Sequence, residues 1–183
     1  GVACAAANIP IVHLSTDYVF DGAKTSPYLE TDPTGPRSVY GVTKLAGETA
    51  IAHSSARHVI LRVSWVHAPE GKNFVRTMLR LAGSRDRLGV VADQIGRPTY
   101  APHLAIALRD IAARLIMDPD APTGVFHLTG SGEPCSWRQF AEVIFTASQV
   151  RGGPSAVAGT IPASAYPAPA NRPTKAVLDC TRI

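Results

Sequence analysis

The sequence predicts an α/β protein in which buried parallel strands alternate with helices, and three observations carry that reading. Short runs of apolar and β-branched residues recur at 9–15 (IPIVHLS), 58–64 (HVILRVS) and 124–129 (GVFHLT). Each has the near-continuous hydrophobicity of a strand covered on both faces. Stretches of helical periodicity separate them, long enough for the crossover that a parallel pair requires. No internal repeat interrupts the alternation, so the class is α/β.

The first run leads into Ser15-Thr16-Asp17-Tyr18-Val19-Phe20-Asp21-Gly22. The carboxyl end of a strand is where an open α/β sheet presents its ligand groups, and here a hydroxyl, a carboxylate and a phenol follow one another. By residue type alone, Thr16 and Asp17 read more simply as a turn or cap, because both bond locally to backbone. Residues 21–37 carry Pro27, Pro33, Pro36, Gly22 and Gly35 and read as a loop, long enough to be functional by its length. Ser38 or a neighbour then opens a helix that runs through Tyr40, Lys44, Leu45, Glu48 and Ile51 toward His53. The strand 58–64 ends at Trp65, which completes a unit whose crossover is expected to be right-handed.

From Asn73 the pattern NFVRTMLRLAG places Phe74, Met78 and Leu81 at core spacing, with Gly83 at the expected C-cap. LGVVA at 88–92 is a short strand candidate leading into Asp93-Gln94-Ile95-Gly96-Arg97-Pro98-Thr99-Tyr100. There Gly96 and Pro98 are expected to fix a turn from which Gln94, Arg97 and Thr99 face a ligand. The planar fork of Arg97 suits a phosphate, although a surface arginine reads equally well. Pro102 to Met117 predicts a long helix with Leu104, Leu108, Ile111 and Leu115 inward, stopped before Pro119. After the strand 124–129, Gly130-Ser131-Gly132 lacks the third glycine of a dinucleotide fingerprint. Ser136 and Gln139 form a capping-box signature for the helix WRQFAEVIFTA. Residues 152–173, rich in Pro, Ala and Gly, are expected to be irregular, and RPTKAVLDCTRI resumes a short ordered pattern.

The chemistry centres on Tyr40-Gly41-Val42-Thr43-Lys44. Residues four apart share a helix face, so an ammonium is brought near a phenol. The ordinary phenol pKa is about 10, and a neighbouring cation favours the phenolate. A phenol so placed serves proton transfer in carbonyl reduction. On its own the pair is more often a packed aromatic and a solvated lysine.

Composition bounds the rest. The chain has 183 residues, enough for one ordinary domain. Hydrophobic residues make up 45% and charged ones 17%, which fits a globular protein rather than a disordered one. No apolar run approaches the roughly 18 residues of a membrane span, and the first residues lack the form of a signal peptide. The net charge of +4 favours anionic ligands mildly, but Lys and Arg are scattered, so nucleic acid is not expected as a partner. Cys4, Cys135 and Cys180 are odd in number and far apart, which reads as reduced thiols in a cytoplasmic protein. The histidines show no metal-ligand spacing, and no metal site is expected.

The ensemble LSTDYVFDG, YGVTKLAGE, WVH, GKNFV, TMLRL and DQIGRPT closely resembles the dTDP-4-dehydrorhamnose reductases of the extended short-chain dehydrogenase/reductase superfamily. YxxxK marks the superfamily only, whereas STDYVFDG with DQxGxPT narrows the resemblance to the rhamnose-forming reductases and their relatives. It implies a partial Rossmann-like parallel sheet with a smaller substrate-binding subdomain. Residues 1–70 and 100–130 would form the core that carries catalysis, and 71–100 and 131–183 the subdomain. It also implies Thr16 as the hydroxyl on the C4 carbonyl, Tyr40 as proton donor, and Lys44 as the residue that tunes Tyr40 and holds the nicotinamide ribose. Ser15, Tyr40, Lys44 and Val63 would meet the cofactor, NADPH or alternatively NADH. Asp17, Tyr18, Trp65, Asn73, Gln94, Arg97, Thr99 and Arg172 would meet the nucleotide-sugar substrate. The sequence is silent on oligomeric state and leaves a homodimer open.

Departures from the family pattern are His67, where Tyr is common, and Ala176, where a polar residue is usual. The glycine-rich turn that cradles a pyrophosphate is also missing from the start, so the chain reads as a fragment, and these 183 residues alone are not expected to turn over. A dehydratase is disfavoured because Tyr18, not Glu, follows Thr16-Asp17. Reductases or epimerases of other nucleotide sugars stay open, as does a non-catalytic subunit of the kind that regulates methionine adenosyltransferase.

Overall fold

A computed structural model describes residues 1–54, 57–166 and 172–183. In chain order the elements are α1 (Val2–Ala6), β1 (Ile11–Thr16), α2 (Val39–Ser54), β2 (His58–Val63), β3 (Val66–His67), α3 (Phe74–Ala82) and β4 (Arg87–Val91). There follow β5 (Ile95–Gly96), β6 (Thr99–Tyr100), α4 (Ala101–Met117), β7 (Gly124–His127), β8 (Cys135–Ser136), α5 (Trp137–Gln149) and β9 (Val157–Ile161). Two short 3-10 turns lie at Asp17–Val19 and Ala163–Ala165.

The three predicted β-branched runs form one parallel sheet in the order β1-β2-β7. Side chains alternate across it, as the two-residue strand period demands. On one face Val12, Val59, Leu61 and Phe126 pack with Leu108, Ile111 and Leu115 of α4. On the other, Ser15 and Arg62 both reach Glu48 of α2. Ser38 opens α2 as expected, its hydroxyl accepting from the Gly41 N–H at 3.1 Å. At Gly41 the turn Asp17–Val19 presses onto the helix so closely that a Cβ would lie 2.3 Å from the Tyr18 carbonyl oxygen. A glycine is therefore needed there for contact rather than for conformation.

The loop 21–37 is pinned into the core. Tyr28 is buried, stacks on Phe20 with centroids 4.2 Å apart and donates to Asp21 Oδ1 at 2.6 Å. Its backbone exchanges hydrogen bonds with the C-terminal segment, and Leu178 joins Val19, Phe20 and Tyr28 in one cluster. A second core forms where β4 and β9 pair in parallel beneath α3 and α5, with Met78, Leu88, Val90, Ile144 and Phe145 at its centre. Asn73 and Gly83 cap α3, and Ser136 with Gln139 makes the expected capping box of α5. Two small pairs, β3 with β6 and β5 with β8, connect the sheet region to this second core.

Two expectations are corrected. Residues 152–173 are not irregular throughout, since β9 lies within them; residues 167–171 of that stretch fall outside the described residues. Pairing with β4 outweighs a local composition poor in strand formers. The turn expected at Gly96 and Pro98 is a two-residue link between β5 and β6, with Gly96 itself in a strand. Among the described residues no helix is long and apolar enough to cross a membrane.

Candidate active site

The carboxyl end of β1 delivers Ser15, Thr16 and Asp17, all buried, to the N-terminal turn of α2. Thr16 acts as a cap there: its hydroxyl accepts from the Tyr18 N–H at 3.2 Å and donates to Asp17 Oδ1 at 3.0 Å. Burial pushes the Asp17 carboxyl up to about 7, opposed by hydrogen bonds from the Thr16 hydroxyl and the Asp17 and Tyr18 N–H groups. Because the folded carboxyl titrates above its unfolded range, ionising it costs the fold. Stability from this group is full below the ordinary carboxylate pKa and falls as pH rises through about 7.

Tyr18 meets Tyr40 edge to face, centroids 5.6 Å apart and planes at 81°. Thr16 and Tyr40 therefore belong to one end of the sheet. Tyr40 is 53% exposed, whereas Thr16 is buried. Lys44, one turn further along α2, donates to the Leu14 carbonyl oxygen at 2.5 Å and so ties the helix to β1. Burial, followed by the Asp17 charge, raises the Tyr18 phenol, and the Arg172 guanidinium acts to lower it.

Beneath this end lies a buried charge network. Arg62 donates from Nε and Nη2 to the two Glu48 carboxylate oxygens at 3.0 and 2.7 Å, and the Ser15 hydroxyl donates to the same carboxylate. Ser15 is thus turned toward α2. Val63 ends β2 in register with Thr16.

A cleft of about 670 Å³ opens among α3, β4, the start of α5, Ala163, Ser164, Tyr166 and Arg172, a size suited to a small-molecule ligand. Of the residues singled out from the sequence, Gln94 and Arg172 line it. Trp65 stands behind the wall, stacked on the lining residue Trp137 at 3.5 Å and nearly parallel to it. The Trp65 backbone sits at φ 46°, a conformation rare for a bulky residue. Its indole lies where a Cβ on Gly96 would be 2.5 Å from the ring. The Asn73 amide is occupied as the α3 cap, accepting from the Arg76 N–H at 3.1 Å and donating to the Ala68 and Glu70 carbonyls. Arg97 turns toward the C-terminal segment, donating to the Leu178 carbonyl at 3.3 Å. Thr99 is buried and accepts from the Gly130 N–H.

Sequence reasoning missed Trp137, Thr77 and Tyr166 as lining residues and read Phe74 as core alone. The usable signal was a second tryptophan at the first position of a capped helix. Among the described residues no three His, Cys, Asp or Glu side chains gather into a metal site.

The family profile for the RmlD substrate binding domain matches residues 1–183. The chain belongs to that family. A dTDP-4-dehydrorhamnose reductase of Sinorhizobium fredii is 48% identical over 182 residues, spanning 99% of this chain and 61% of the relative. The enzyme of that name from Escherichia coli is 44% identical over 171 residues, 92% of this chain and 56% of its own. Among solved structures, the dTDP-4-dehydrorhamnose reductase of Bacillus anthracis in complex with NADP superposes with a TM-score of 0.89 at 31% identity, covering 99% of this chain and 60% of that one. The RmlD-type chain described here therefore spans about three-fifths of the length of these relatives. Its fold is the Rossmann-like α/β arrangement of those reductases.

Proposed function

We propose that this chain, within a protein of its relatives' full length, reduces the C4 ketone of a dTDP-4-keto-6-deoxy sugar, dTDP-4-dehydro-L-rhamnose, to the alcohol. The observation that carries the reading is the docking of Thr16-Asp17-Tyr18 onto the first turn of α2, which puts a buried hydroxyl and an exposed phenol at one end of the sheet. The names and NADP-bound structure of its relatives support it.

In this reading the ketone oxygen lies between Thr16 and Tyr40. The Tyr40 phenol protonates that oxygen as negative charge grows on it, and Thr16 steadies the charge by donating a hydrogen bond. The donor set fits a nicotinamide cofactor: a phenol open to solvent and an ammonium held at the strand by the Leu14 carbonyl can both meet ribose hydroxyls. Ser15 and Val63 flank the same strand ends. NADPH, or NADH in its place, supplies the hydride when bound. The cleft takes the nucleotide, with Arg172 toward the diphosphate and Gln94 beside it. In the same reading residues 1–70 and 100–130 carry the chemistry and 71–100 with 131–183 the recognition. The protein works in the cytoplasm as a homodimer.

The test follows NADPH absorbance in the full-length protein supplied with dTDP-4-dehydro-L-rhamnose. Tyr40→Phe should retain cofactor binding and lose about 100- to 10,000-fold in kcat. A wild type that binds the cofactor yet leaves the ketone untouched, or a variant as fast as wild type, sinks the reading.

A further inference from the structure

Asp17 has no role in the chemistry above, yet its carboxyl is buried against the one hydroxyl that must contact the substrate. A threonine hydroxyl has one proton to give and two lone pairs to receive with. One lone pair already accepts from the Tyr18 N–H at 3.2 Å. The proton goes to Asp17 Oδ1 at 3.0 Å, so a Thr16 that faces an ionised Asp17 has no donor left for a ketone. A neutral Asp17, which gains an O–H donor, can reverse the bond. Its O–H donates to Thr16 Oγ1, both lone pairs are filled, and the Thr16 proton is free to point outward.

We infer that Asp17 is a positioning residue that acts through Thr16, its protonated carboxyl turning the Thr16 hydroxyl into a hydrogen-bond donor toward the substrate oxygen. The inference rests on the proposed ketone reduction. No bond to Asp17 is made or broken in a turnover: its proton stays on the carboxyl, and the proton the substrate gains comes from Tyr40.

The surroundings favour the neutral form. Among the described residues no ion pair reaches Asp17, and burial raises its pKa to about 7. The charged and titratable groups on the neighbouring elements are Tyr18 on its own turn, His13 on β1, Tyr40, Lys44, Glu48 and His53 on α2, and His58 and Arg62 on β2; Arg172 acts on Tyr18. Glu48 and Arg62 neutralise each other, and Lys44 donates one hydrogen bond to the Leu14 carbonyl.

Asp17→Asn in the full-length protein tests this, because the amide N–H can donate to Thr16 at every pH. Wild-type kcat should fall by about tenfold per pH unit once pH passes the Asp17 midpoint, and the variant should hold its plateau further into the alkaline range. An alkaline limb identical in the two proteins overturns the inference. A wild type with no reductase activity overturns the proposed reaction instead. If Asp17→Asn does not fold, the wild type alone decides. Binding of the ketone substrate with NADP+ at a pH above the midpoint should take up about one proton, read by calorimetry in buffers of different ionisation enthalpy. Absence of that uptake overturns the inference equally.

Discussion

The end of β1 and the cleft beside α5 are built in different ways. At the strand end, position is enforced from below: Glu48 and Arg62 form a buried, forked ion pair, Ser15 joins it, and Gly41 lets the Thr16–Tyr18 turn sit directly on α2. The cleft is walled by side chains from four separate stretches, Phe74 and Thr77, Gln94, Trp137, and Tyr166 with Arg172. One region is held by charge and backbone contact, which tolerate little displacement. The other is held by aromatic surface, which tolerates a good deal. The difference fits the proposed division of labour, in which proton transfer would need a reacting atom placed within a fraction of an ångström and nucleotide recognition would not.

Three substitutions would break or sharpen that contrast. The largest effect is expected from Glu48→Ala, which strands Arg62 in the interior. Breaking a buried pair from one side costs about 3–5 kcal/mol, read by urea unfolding. Replacing both partners with apolar residues should recover most of the loss, and a double variant as unstable as the single would show that the pair matters for more than its charges. Gly41→Ala comes next. A methyl driven against the Tyr18 carbonyl oxygen forces α2 and the turn apart, at about 1–3 kcal/mol. The kinetic signature should be a lowered kcat with KM little changed, and a change confined to KM would contradict it. Smallest is Arg172→Gln, which should raise KM about tenfold, near 1.4 kcal/mol of lost charged contact, and leave kcat alone. A fall in kcat of the same size would mean that the cleft and the strand end are not separable.

Much of this is legible in the sequence. The strands β1, β2 and β7 announce themselves because burial on both faces demands unbroken apolar runs, and the caps at Ser38, Asn73 and Ser136 are local chemistry. Tyr40 and Lys44 could be found because helix spacing links them. β9 is harder to find, because Ala158 and Gly159 interrupt its β-branched residues inside a stretch rich in Pro, Ala and Gly, and its parallel partner β4 lies far off in the chain. The same holds for the cleft. Trp137 reads as an ordinary helical aromatic until Trp65, 72 positions earlier, is seen stacked on it. Side chains gathered from distant stretches leave no periodic trace in the chain.

Ser15 and Thr16 are neighbours with opposite duties, since successive strand residues face opposite sides of a sheet. One hydroxyl is anchored to Glu48, and the other, bonded to Asp17, is the one the proposed reduction would use. Sliding β1 by a single residue against β2 would exchange them, leaving the glutamate without its serine and the substrate without its threonine. The Glu48–Arg62 pair thus works as a vernier stop, setting which of two adjacent alcohols the proposed reaction would meet.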